Sequence, residues 1–234
     1  MPWEVHIAGP EETLQELAQA FPYNPSVTRQ GDAWVLRSQT FDILSDAGAV
    51  REQAERMIDS LSALSRLLLQ SKNPLEIMSL TQITDGTHNL YVQLRGEEIR
   101  ANAGFVRAQR FDADGTVKES RPSDPAPAWL AKAEGNPQLA RALRLRNSQN
   151  LMWTDLHRLY EVIRAGVGGD AAIVAAGWTS GNQLERFTRS ANSVTVAGDV
   201  ARHGVERSHP PANPMTLSQA RAFVDALLRN WLDA

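Results

Sequence analysis

The amino-acid sequence predicts an α+β protein, in which an N-terminal ferredoxin-like module (βαββαβ with extra strands) is followed by an all-α helical domain. Three observations carry that expectation. Short stretches of alternating apolar residues interleave with helical stripes across residues 1–112. A stretch with three prolines and almost no apolar side chains, ADGTVKESRPSDPAPA, covers 113–128 and reads as a linker. From Trp129 to the end, over 129–234, apolar residues recur at helical spacing.

In the first module, Trp3, Val5 and Ile7 alternate with polar residues, the period of a half-buried strand. Gly9-Pro10-Glu11-Glu12 turns into a helix, with acids facing the positive end of its dipole and Leu14, Leu17 and Phe21 on one side. Val27–Arg29 and Trp34–Arg37 flank Gln30-Gly31-Asp32, which suits a hairpin. Ser45 or Asp46 caps a long helix whose face is Val50, Ala54, Met57, Ile58, Leu61, Leu64 and Leu68. The strands LEIMSLTQIT and NLYVQLR follow, with a further one over 98–106.

In the second half, Leu139, Ala142 and Leu143 lead into a helix with Leu156, Leu159, Tyr160, Val162 and Ile163, closed by the glycines at 166–169. A short apolar helix over 171–176 comes next. Ser180 and Gln183 then read as a capping box opening a helix with Leu184, Phe187 and Ala191, and a short helix is expected over 196–203. Thr216 and Gln219 form a second box before the last stripe, Leu217 to Trp231.

Composition narrows the function classes. The 234 residues are 42% hydrophobic and 22% charged, as in a folded globular chain, and the net charge of −3 calls for no global attraction to nucleic acid or anionic lipid. The halves differ: 12 basic against 18 acidic residues up to 124, then 12 against 9, so −6 meets +3. Without cysteine there is no disulfide, thiolate metal site or cysteine nucleophile. No window reaches the roughly 18 apolar residues of a membrane span. A bacterial-type, soluble, cytoplasmic protein with no membrane association is expected.

The polar residues concentrate between Trp178 and Pro214. If 196–203 is helical, Asp199 and His203 stand at i and i+4, where the carboxylate orients the imidazole for general acid or base work. Arg186, Arg189, Asn192, Arg202 and His209 are the candidate ligand-binding residues, because guanidinium forks match phosphate. The segments 171–176 and 181–191 also have the lengths of a helix-turn-helix, with Arg186 and Arg189 facing a groove. The five histidines are scattered, so neither a metal site nor a cofactor is expected.

The helical half, with Arg, Asn and His near the start of its late helices, resembles the HEPN superfamily. Many members of that superfamily are RNases with an R-x(4 to 6)-H motif in prokaryotic defence and toxin systems. The resemblance implies metal-independent RNA cleavage, with His203 as acid or base, Asp199 orienting it and the arginines on the scissile phosphate. The spacing at His203 departs from the pattern: Arg189 precedes it by fourteen positions and Arg202 adjoins it. The other expectation is a non-catalytic, sensor-like protein whose helical domain engages an acidic ligand, a protein partner, a second copy of the chain or RNA.

Overall fold

The computed structural model describes residues 2–84, 87–92, 110–111, 117–118, 123–201 and 210–234. The strand expected over 98–106, most of the expected linker, Arg202, His203 and His209 lie outside these residues. The chain divides into two compact units, with the boundary between Leu130 and Ala131.

The first unit runs β1 (Trp3–Ala8), α1 (Glu11–Ala20), β2 (Ser26–Gln30), β3 (Ala33–Arg37), α2 (Gln39–Asp42), α3 (Ala47–Leu69), β4 (Glu76–Thr84) and β5 (Thr87–Val92). The strands form one antiparallel sheet in the order β2-β3-β1-β4-β5. Strand β1 lies between β3 and β4, so two βαβ halves interleave in the split arrangement expected of the ferredoxin-like order, with β5 as the extra strand. Register follows the apolar alternation: Val5 faces Leu36 on one side and Leu80 on the other, and all three are buried. A separate two-residue ladder pairs β6 (Arg110–Phe111) with β7 (Val117–Lys118).

Local chemistry places the helices. The Asp46 carboxylate accepts from the Ala49 N–H at 2.8 Å to start α3, and Gln70 ends it in the left-handed region at φ 54°. Helix α3 departs from the single stripe expected of it. Its second half is buried nearly all round, Ser60 to Leu67 included, while Leu68 is only half-buried. Serines make this tolerable: Ser65 Oγ donates to Leu61 O at 2.8 Å, and Ser62 Oγ accepts from the Leu75 N–H at 3.0 Å. At the start of α1, Glu11 accepts from Trp34 Nε1 and Arg29 Nη1, each at 3.0 Å, and so latches the β2–β3 hairpin to the helix.

The stretch expected to be a linker ends in packed chain. Ser123 is buried and donates to Glu16 at 2.9 Å, and Ala126, also buried, opens α4 (Ala126–Glu134). Proline at 125 and 127 suits a helix start, which is why a proline-rich segment can enter structure here.

The second unit contains α5 (Pro137–Arg146), α6 (Trp153–Val167), α7 (Asp170–Ala175), α8 (Gly181–Asn192), α9 (Val194–Ala197), a 3-10 turn at Gly198–Val200 and α10 (Leu217–Asp233). Helices α6 and α10 pack closely at Gly166, where a Cβ would stand 2.3 Å from the Trp231 ring. Arg146 reaches Asp225 with two bonds of 2.5 and 2.9 Å, tying α5 to α10. Lys132 Nζ donates to Trp231 O and Leu232 O at 2.9 and 3.2 Å, where a cation offsets the negative end of the α10 dipole. Ser180 caps α8 through the Gln183 N–H, and at Thr216 both bonds of the capping box form.

The helix expected over 196–203 is corrected. Helix α9 stops at Ala197, because Gly198 takes φ 62° and ψ −145°, and Asp199 falls in the 3-10 turn that follows. Positive φ is cheap only for glycine, so the break is written at that residue.

Candidate functional site

Two places in the helical unit stand out beside the residues expected from sequence, and only part of that expected set lies among the described residues. Of that set, Arg186, Arg189 and Asn192 lie on α8 within the described residues. Asp199 lies within them by its backbone alone, and Thr154 Oγ1 fixes this turn by donating to Val200 O at 2.9 Å.

Arg186 serves the fold. Its Nε donates to Asn213 O at 2.6 Å, and its Nη2 reaches Pro214 O at 3.3 Å and Gln219 Oε1 at 3.4 Å. The adjacent Ser190, fully buried, donates to Arg186 O at 2.7 Å and accepts from the Met215 N–H at 3.0 Å. Together they staple α8 to the turn that precedes α10. A recognition helix would hold Arg186 toward a groove, so the helix-turn-helix expectation is not met at this residue. Arg189 pairs with Glu185 one turn back at 3.3 Å. The Asn192 Oδ1 is buried and accepts no hydrogen bond.

The unit's positive charge sits elsewhere. Residues 137–167 hold five arginines against two acids, a net +3, whereas 178–209 holds four against three. On α5, Arg141 and Arg144 stand one turn apart on the side opposite the buried Leu139, Ala142 and Leu143. Both are exposed, and among the described residues neither side chain makes a hydrogen bond or ion pair; the same holds for the side chain of the exposed Arg158 on α6. The sequence reading passed over these residues because they lie in an ordinary amphipathic helix. The signal was LARALRLR itself, with arginine three apart on the polar face.

The second place is an open groove of about 610 Å³ between α6, α7 and α8, lined by Tyr160, Asp170, Val174, Leu184, Glu185 and Thr188 among others. Tyr160 forms its inner wall, edge-on to Phe187 at 5.4 Å, and Phe187 leans on Phe223 at 5.3 Å. The Tyr160 hydroxyl donates to Asp170 Oδ1, which also meets Arg164 Nε at 3.0 Å. Burial, reinforced by the Asp170 carboxylate, pushes the Tyr160 hydroxyl well above its ordinary value, so it stays protonated and acts as a donor at neutral pH. Buried His157 stacks on Phe187 at 6.4 Å, and its Nδ1 lies 3.6 Å from Glu161.

No family model, curated protein or solved structure matches the chain. No helix among the described residues is long and apolar enough to cross a membrane.

Proposed function

We propose that the protein is a binding module whose helical unit engages an acidic ligand through the outer face of α5 and the start of α6. The observation that carries this reading is the exposed set Arg141, Arg144 and Arg158, whose guanidinium groups have no partner among the described residues. A structural arginine finds a carboxylate or carbonyl at home, as Arg146 and Arg186 do. An unpaired set on neighbouring helices is available to phosphate or carboxylate from outside.

A labelled single-stranded RNA and a labelled acidic peptide serve as probes, with binding followed by anisotropy as salt is raised. For RNA, log affinity should fall linearly with log salt, and each arginine removed should flatten the slope by roughly 0.7. Binding of neither probe at low salt, or binding indifferent to the Arg141→Ala and Arg144→Ala changes, would overturn the reading.

A second reading is HEPN-like RNA cleavage. It is favoured by one feature of the sequence: Arg202 and His209 have six residues between them, inside the R-x(4 to 6)-H interval. It expects the chain to cut RNA without added metal, and expects His209→Ala or His203→Ala to abolish cutting with the melting temperature unchanged. An uncut RNA leaves the binding reading in place.

A further inference from the structure

We propose that the groove between α6, α7 and α8 is a site for a small primary amine carrying a short apolar tail, a ligand distinct from the acidic one proposed for α5. Its volume of about 610 Å³ lies within the range of small-molecule sites, about 300–1,000 Å³. Ala171, Val174, Ala175 and Leu184 supply an apolar lining, and Val174 is 41% exposed there although its helix is otherwise packed through Ile173. Gly181 also lines the groove, with open space where a Cβ would stand.

The donors and acceptors of the lining select the head group. Tyr160 has committed its only proton to Asp170, and Thr188 has committed its own to the carbonyls of Leu184 and Glu185 at 3.0 and 3.1 Å. What these lining side chains still have to offer are acceptors: the two hydroxyl oxygens, Asp170 Oδ2 and Glu185 Oε2. Among the described residues, each carboxylate is engaged through its other oxygen. An ammonium group, with three donors and no acceptor, complements such a lining, whereas an alcohol fits in part and a carboxylate clashes with it.

Charge points the same way. Arg164 and Arg189, which share these acids, are half-exposed, and exposed pairs of this kind contribute at most about 1 kcal/mol, so a ligand can displace them. The start of α8 at Gly181 places about half a positive charge at the rim. Arg164 and Arg189 balance the two carboxylates until the ammonium takes their place, and the two carboxylate charges then outweigh that half charge.

The test is a methyl NMR titration of the full chain with n-pentylamine, 1-pentanol and pentanoate. Pentylamine should shift the Val174 and Leu184 methyl signals and bind at least about tenfold more tightly than pentanol, a difference of about 1.4 kcal/mol. Glu185→Gln, at an exposed position, should weaken the amine several-fold in a protein whose spectrum is otherwise unchanged. Asp170→Asn should weaken it further. Because Asp170 also begins α7, Glu185→Gln is the deciding variant if Asp170→Asn unfolds. Equal binding of pentanol, preference for pentanoate, or no shifts from any of the three at about 10 mM, where so small a ligand should register, would each overturn the proposal. None of these results touches the arginine face, so the two proposals fail separately.

Discussion

Helices α5 and α8 look alike in sequence, each amphipathic and each carrying arginines on its polar side, yet their guanidinium groups have opposite fates. On α8, Arg186 is held by three acceptors around the turn into α10 and Arg189 leans on Glu185. On α5, Arg146 is held by Asp225, whereas the Arg141 and Arg144 side chains have no hydrogen-bond or ion-pair partner among the described residues. The density of charge along a chain therefore says little about availability. What counts is whether the fold brings an acceptor to each guanidinium.

Removing partners should separate the engaged arginines from the free ones. The largest effect is expected at Asp225→Ala, which strands Arg146 where its side chain is only 15% exposed. Urea unfolding should show a loss of about 2–3 kcal/mol, toward the lower end for a pair that keeps some solvent. Anion affinity should hold or rise, since a further guanidinium is released next to Arg144. Arg186→Ala comes next, with an expected loss of about 1–2 kcal/mol from opened carbonyls and a loosened turn, while anion affinity stays the same. Changing Arg141 and Arg144 together to Ala should lower anion affinity about tenfold at low salt, or about 1.4 kcal/mol, and leave the unfolding midpoint in place. If the α8 variant lost binding and the α5 variant lost stability, the assignment of the two helices would be reversed.

A third kind of engaged arginine lies in the sheet. Glu4, nearly fully buried on β1, is paired with the half-exposed Arg37 on β3. Burial alone would push the Glu4 carboxyl up, but the Arg37 hydrogen bond and charge together hold it below its ordinary 4.5. A depressed native value means that the pair's contribution is complete above about pH 4.5 and is lost as pH falls through the native value. The unfolding midpoint should drop on acidification below that point, and Glu4→Gln should flatten the drop at a cost in neutral stability. The smallest effect is expected at Glu185→Gln, within about 0.5 kcal/mol, since the exposed i,i+4 pair that it forms with Arg189 contributes little.

Much of the architecture could be read from neighbours in sequence, because the rules involved are local. Asp46, Ser180 and Thr216 begin helices where expected, Gly31 turns the hairpin, and the alternation in β1 sets its register against β3 and β4. Two misreadings were local as well. Gly198 stops the helix that Asp199 and His203 were expected to share, and Ser60 to Leu67 of α3 lie deeper than a one-sided stripe implies. The first came from treating glycine inside a short apolar run as helical. The second arises because a serine hydroxyl can bond back to the helix and be buried, as Ser65 is.

The sequence by itself determined the fold class, the order of strands and helices, most helix ends, and the net positive charge of the back half, since each of these follows from residues within a few positions of one another or from a sum over the chain. Tertiary structure alone decided which charges are free. Asp225 is 79 residues from Arg146, and Asn213 is 27 from Arg186. No periodicity reports such meetings, because they depend on which helix faces which. The groove at Tyr160 has the same origin: its lining comes from three helices, and only their packing turns Asp170, Glu185 and Thr188 toward a common space.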